Sequence, residues 1–101
     1  MSRWALVVLG AWVLWQHNVV AREKRAEESW FPLGGFESRA VCVAEQEKHI
    51  REVQSYGVGA KDIQTVPHEL GADTVFKGGM VLSNQFICLP DGTDPRPRGK
   101  Q

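Results

Sequence analysis

Hydrophobic and polar positions follow a helical period in only one stretch of the chain, FESRAVCVAEQEKHIREVQSYG at residues 36–57. At about 100° per residue, Cys42, Val43, Gln46, Ile50 and Val53 fall within one arc of roughly 100°, while Glu45, Glu47, Lys48, Arg51 and Glu52 cover the opposite side. Ser38 stands where an N-cap hydroxyl can accept from an unpaired amide of the first turn, and Gly57 where the chain can take the left-handed C′ conformation. The pattern predicts an amphipathic helix over about residues 38–56, with Cys42 turned toward the core.

Around this helix the pattern is one of short strands. Residues 11–20 (AWVLWQHNVV) crowd Trp, Val and Leu without a strong breaker and predict a strand with at least one buried face, helix being the alternative. Residues 21–29 (AREKRAEES) hold no apolar side chain larger than alanine and read as a solvated connection. Its Arg22, Lys24 and Arg25 are offset by Glu23, Glu27 and Glu28, which argues against a docking patch. Trp30-Phe31-Pro32-Leu33 resumes the apolar signal, with Pro32 suited to an edge strand and Gly34-Gly35 to a turn into the helix; residues 12–20 are expected to pair antiparallel with it. Residues 58–73 read mostly as loop. Thr74-Val75-Phe76 is a short strand candidate, and Gly78-Gly79 a hairpin turn to residues 80–89. There Met80, Leu82, Phe86 and Cys88 share the face expected to meet the helix, with Val81, Ser83, Gln85, Ile87 and Leu89 on the other; a bulge or turn at Ser83-Asn84 is the alternative that would shift this alternation. The fold class that follows is α+β: a small antiparallel sheet of about four strands with one helix packed on it. Residues 91–101 (DGTDPRPRGKQ) carry no apolar side chain larger than proline and read as a flexible Pro-rich basic tail, poorly ordered beyond Pro95.

Composition narrows the function classes. A length of 101 residues allows one domain, expected at residues 12–90, and 43% hydrophobic with 24% charged residues is a globular balance. Twelve basic against twelve acidic residues leave no net field to attract nucleic acid, which is not expected as a partner. Met1-Ser2-Arg3 is a short positive segment, and residues 4–15 form an apolar run shorter than the ~20 residues a membrane span needs. Residues 1–11 are therefore read as a signal peptide, cut after Ala11 or, alternatively, after Ala21; only the first cut keeps the initial strand.

Cys42 on the helix arc and Cys88 within Phe86-Ile87-Cys88-Leu89 both point inward, so a single disulfide pinning helix to last strand is the favoured reading, against two buried free thiols. With 46 positions between them and no CxxC, a redox site is disfavoured. His17, His49 and His68 are scattered away from ligand spacings, no serine stands in a GxSxG context, and the glycine pairs lack a P-loop's Lys-Ser/Thr. No catalytic residue, metal or cofactor is expected. Four tryptophans in so short a chain leave two readings: Trp12, Trp15 and Trp30 as an exposed aromatic surface for sugar, peptide or a membrane interface, or as core filling. Arg96, Arg98 and Lys100 add a positive end that could touch phosphate or an acidic partner.

Two stretches taken together, Trp12-Val13-Leu14-Trp15 and Phe86-Ile87-Cys88-Leu89-Pro90-Asp91 followed by Asp94-Pro95-Arg96, carry a resemblance. The chain resembles a group of small uncharacterised exported bacterial proteins in which a signal peptide precedes a W-V-L-W strand. A Phe-bearing turn then leads into a helix with the first cysteine, matched here by residues 36–42, and the chain ends in F-[IV]-C-L-P-D-x-x-D-P-R. The likeness spans most of residues 11–100 by order of motifs and leaves the central loop unmatched. It departs in length, since only eleven residues precede Trp12 where the group has a fuller signal. The resemblance implies the cut after Ala11 and the Cys42–Cys88 bridge, and no activity. The expected function is a small exported, disulfide-stabilised binding or structural module, periplasmic or extracellular, with an envelope or extracellular protein as its partner. The alternative is an accessory protein held at the inner membrane by an uncleaved N-terminal helix, and a third is a minor redox enzyme.

Overall fold

The computed structural model describes residues 11–97, so the segment expected as a signal peptide, apart from Ala11, lies outside the described residues, as do Arg98 and Lys100. The Trp- and Val-rich run forms β1 (Trp12–Arg22), which turns through Glu23-Lys24 into β2 (Arg25–Phe36). The periodic segment forms α1 (Arg39–Gln54), and three further strands follow: β3 (Ile63–His68), β4 (Gly71–Phe76) and β5 (Val81–Pro90). All neighbours are antiparallel, in the order β2-β1-β5-β4-β3. The α+β architecture is the one the pattern predicts, with five strands rather than about four.

The fifth strand is β3, from the stretch expected as loop. It is an edge strand whose side chains are half-buried at best, so no apolar alternation marks it, and Pro67 is tolerated because only β4 pairs with it. The charged block of residues 21–29 departs from expectation in a similar way. Its side chains are mostly exposed, yet the backbone ladder runs through it, pairing Val19 with Glu28, Val20 with Glu27 and Ala21 with Ala26. Hairpin hydrogen bonds join backbone to backbone, so solvated side chains do not end them.

α1 begins where the sequence indicates, with Val41 N–H donating to Ser38 Oγ at 3.2 Å. It caps at Ser55, so Gly57, at φ +72°, lies two residues past the cap rather than at the left-handed position next to it. The inward arc of the helix meets the sheet: Cys42 and Val53 are buried with Leu14, Ala72 and Phe86, while Ile50, Trp12 and Phe36 pack around them. Cys42 and Cys88 are joined by a disulfide across this interface, with Cα atoms 6.2 Å apart. Polar members of the arc are satisfied by backbone. Gln46 Nε2 donates to the Phe86 carbonyl at 2.7 Å, and Gln54 Nε2 donates to the carbonyls of His68 and Gly71, both at 3.1 Å. These bonds tie the helix to β5 and to the β3–β4 turn.

No bulge occurs at Ser83-Asn84; β5 keeps an unbroken register with β1 from Val81 to Pro90. Asn84 stays in line because its side chain, buried on the helix face, accepts from Gln16 Nε2 at 3.4 Å. The irregularity lies instead in the first hairpin. Trp15 pairs with Pro32 but Leu14 with Gly34, which leaves Leu33 as the extra residue.

Candidate binding face

A strand sends successive side chains to opposite faces of its sheet. Leu14 enters the core under α1, and so do Trp12 and Gln16 by parity; Val13, Trp15, His17 and Val19 therefore emerge on the side without a helix. Trp12 and Trp15, an odd interval apart, cannot share a surface. Trp12 packs beside Phe36 on the helix side, with the Arg39 guanidinium 6.0 Å from its ring centre. The three tryptophans are thus split between the two readings, one in the core layer and two outside it.

On the outer face Trp30 is brought beside Trp15 by the hairpin register, which sets His17 opposite Trp30 and Pro32 opposite Trp15. The bulge at Leu33 makes this possible, because it reverses parity within β2: Trp30 and Pro32 face outward while Phe36, an even interval away, faces the core. His17 stacks on Trp30 with ring centres 4.0 Å apart and planes 15° from parallel. Its Nε2 lies 2.7 Å from Glu28 Oε2 and its Nδ1 3.3 Å from Gln85 Oε1, so the stack is braced from both neighbouring strands. Ile87 and Leu89 of β5 and Val13 and Val19 of β1, all half-buried, extend the apolar surface. The indole nitrogens Nε1 of Trp15 and Trp30 are buried without a hydrogen-bond partner.

The residues after β5 return toward this face. Thr93 N–H donates to the Pro90 carbonyl at 3.0 Å, closing a turn whose third residue, Gly92, has φ +95°, a region that side chains rarely enter. Arg96 then stands over Trp15, its Cζ 5.6 Å from the ring centre. Asp94 Oδ1 accepts from the Arg96 backbone N–H at 2.9 Å and from Nε at 2.8 Å, and its Oδ2 from a terminal guanidinium nitrogen at 2.6 Å. Chiefly through the side-chain hydrogen bonds of Arg96, the Asp94 carboxyl is pulled from its usual 3.8 to about 2. Trp15 is only 6% exposed although no helix covers it.

Of the residues singled out in the sequence, Trp15, Trp30 and Arg96 are on one face, Trp12 is on the other, and Arg98 lies outside the described residues. His17, Glu28, Gln85 and Ile87 were not singled out; their grouping depends on cross-strand register, and only the odd-position parity of residues 13–19 hinted at it. Among the described residues, no cluster of three or more His, Cys, Asp or Glu is placed to hold a metal ion, and no helix is long and apolar enough to cross a membrane. Compared with known proteins, the chain matches no family model, no curated protein and no solved structure.

Proposed function

We propose that the chain is a small exported binding module, without a catalytic step of its own, that engages an envelope or extracellular protein of a bacterial cell through the sheet face opposite α1. The observation that carries this reading is that face itself: half-buried Trp30, Ile87 and Leu89 surround Trp15, over which Arg96 stands, on the side of the sheet to which no helix is packed. Aromatic side chains gathered on a sheet face without a helix, with a cation over one ring, have the makeup of a recognition surface. The Cys42–Cys88 bridge is compatible with an oxidising compartment. β1 lies inside the sheet between β2 and β5 and supplies Leu14 to the core, so a signal cut after Ala11 would preserve the fold and one after Ala21 would remove the strand. The likeness to small exported bacterial proteins points the same way.

Expression with the native N-terminus tests export: material released from the periplasm or into the medium should begin at Trp12 and carry no free thiol. Full-length chain recovered only with membranes, resistant to salt and carbonate, would favour the anchored accessory protein instead. Photo-crosslinking tests the face. A reactive residue at Ile87 should give discrete adducts that the same residue at Lys48, on the solvent side of α1, does not give. Equal or absent labelling from the two positions would refute the assignment.

A further inference from the structure

The face opposite α1 already has an occupant, the chain's own tail. Its contact unit is Asp94-Pro95-Arg96, in which the carboxylate holds the guanidinium through both oxygens and the guanidinium stands over the Trp15 ring. The ion pair stays half exposed, so the guanidinium keeps its hydration while it makes the cation–π contact. The fit is nevertheless incomplete. Trp15 Nε1 and Trp30 Nε1 are both buried with no acceptor although the tail is in place, and an unpaired buried donor is unfavourable. The segment bends at Arg96, whose N–H donates to Asp94 Oδ1; a partner segment without that local bond presents its carbonyls to the indole N–H groups.

We propose that the Trp15–Trp30 face is a receptor for an Asp-Pro-Arg-Pro-type peptide segment of a partner protein, and that residues 94–97 are an intramolecular copy of that ligand which the partner displaces. The inference rests on the binding-module reading and names its partner class. The tethered copy competes at an effective concentration on the order of millimolar, so the face is self-limited: it opens to a segment that supplies the two missing acceptors or that engages several copies at once.

The probe is the nine-residue peptide TDPRPRGKQ, residues 93–101 of the chain, titrated into the full-length protein and its Asp94→Ala and Arg96→Ala variants. Tryptophan fluorescence and the indole N–H resonances report binding. Both variants, their own tail released, should bind the peptide about fivefold tighter than wild type, with the Trp15 indole signal returning toward its wild-type position as a guanidinium again stands over the ring. Trp15→Phe in the Arg96→Ala background keeps a smaller aromatic ring and weakens the cation–π contact; it should weaken binding about threefold. Peptide that fails to bind either variant at millimolar concentration, or that shifts helix resonances and leaves the indoles unmoved, overturns the proposal. A full-length chain that is dimeric while Asp94→Ala is monomeric overturns it in favour of tail exchange between copies. If adducts still form from Ile87 while the peptide does not bind, the binding-module reading stands and this partner class alone falls.

Discussion

Opening the Cys42–Cys88 bridge should remove a large part of the stability of the fold. The bond closes a loop of 46 positions, and the loop-closure entropy it withholds from the unfolded chain corresponds to about 4 kcal/mol at 25 °C. Small domains have about 5–15 kcal/mol in all. The structure adds little to oppose the loss, since Cys42 is fully buried and Cys88 packs against the same cluster, so the reduced sulfurs keep their apolar surroundings. Reduction of the wild-type protein is thus a cleaner perturbation than Cys→Ser, which would also place hydroxyls in an apolar layer. In urea, with a slope of roughly 1–1.5 kcal/mol per molar for this size, the fluorescence midpoint should fall by about 3 M on reduction. The slope should rise, because the uncrosslinked unfolded chain exposes more surface. A midpoint that moves by less than about 0.7 M, equivalent to under ~1 kcal/mol, would mean that the helix is held by packing and the glutamine contacts alone.

Gly71→Ala should be severe: a Cβ there would lie 1.9 Å from the Asn84 carbonyl oxygen, so β4 and β5 would have to part, and calorimetry should show a loss above about 3 kcal/mol or no folded transition. Gln46→Ala removes the 2.7 Å bond to the Phe86 carbonyl and should cost about 1 kcal/mol by thermal melting, against less than ~0.5 kcal/mol for the exposed neighbour Glu47→Ala. Asp94 has its pKa lowered in the fold, so the Asp94–Arg96 contact contributes fully above the unfolded value of 3.8 and is lost as pH falls through about 2. The Arg96 signature in Trp15 fluorescence should accordingly persist at pH 4 and vanish near pH 2; loss already at pH 5 would contradict the geometry.

Much of the fold was legible because some residues carry independent local signals. Ser38 and the arc from Cys42 to Val53 define α1 without reference to anything distant, and the apolar context of each cysteine pointed to the same interface. What could not be read depends on pairing. The ladder through Arg22 and Arg25 leaves no mark on side-chain polarity, and β3, half solvated and interrupted by Pro67, lacks alternation. Leu33 is one residue too many for its register, and nothing local distinguishes it from Phe31 or Pro32, yet it decides that Trp30 and Phe36 serve opposite faces. The aromatic site was half visible for the same reason. Trp15, Trp30 and Arg96 were candidates by type, whereas separating Trp12 from them required strand parity, and placing His17 between Glu28 and Gln85 required three strands in register. The Pro-Asp-Gly turn is a local signal, but the surface on which the returning tail lands is not.

The sheet order places the last strand made in the middle. Until β5 exists, the β1–β2 pair and the β3–β4 pair share no strand contact, and Cys42 has no partner. Isolated hairpins are marginal in water, so a chain emerging residue by residue holds nothing able to resist being threaded through a narrow channel until about residue 90. Its completion is then abrupt: one strand zips two hairpins together, buries Phe86 beneath the helix and delivers the second thiol to the first. A nascent chain stopped short of Cys88 should be as open to protease as an unfolded one, and ten further residues should close it.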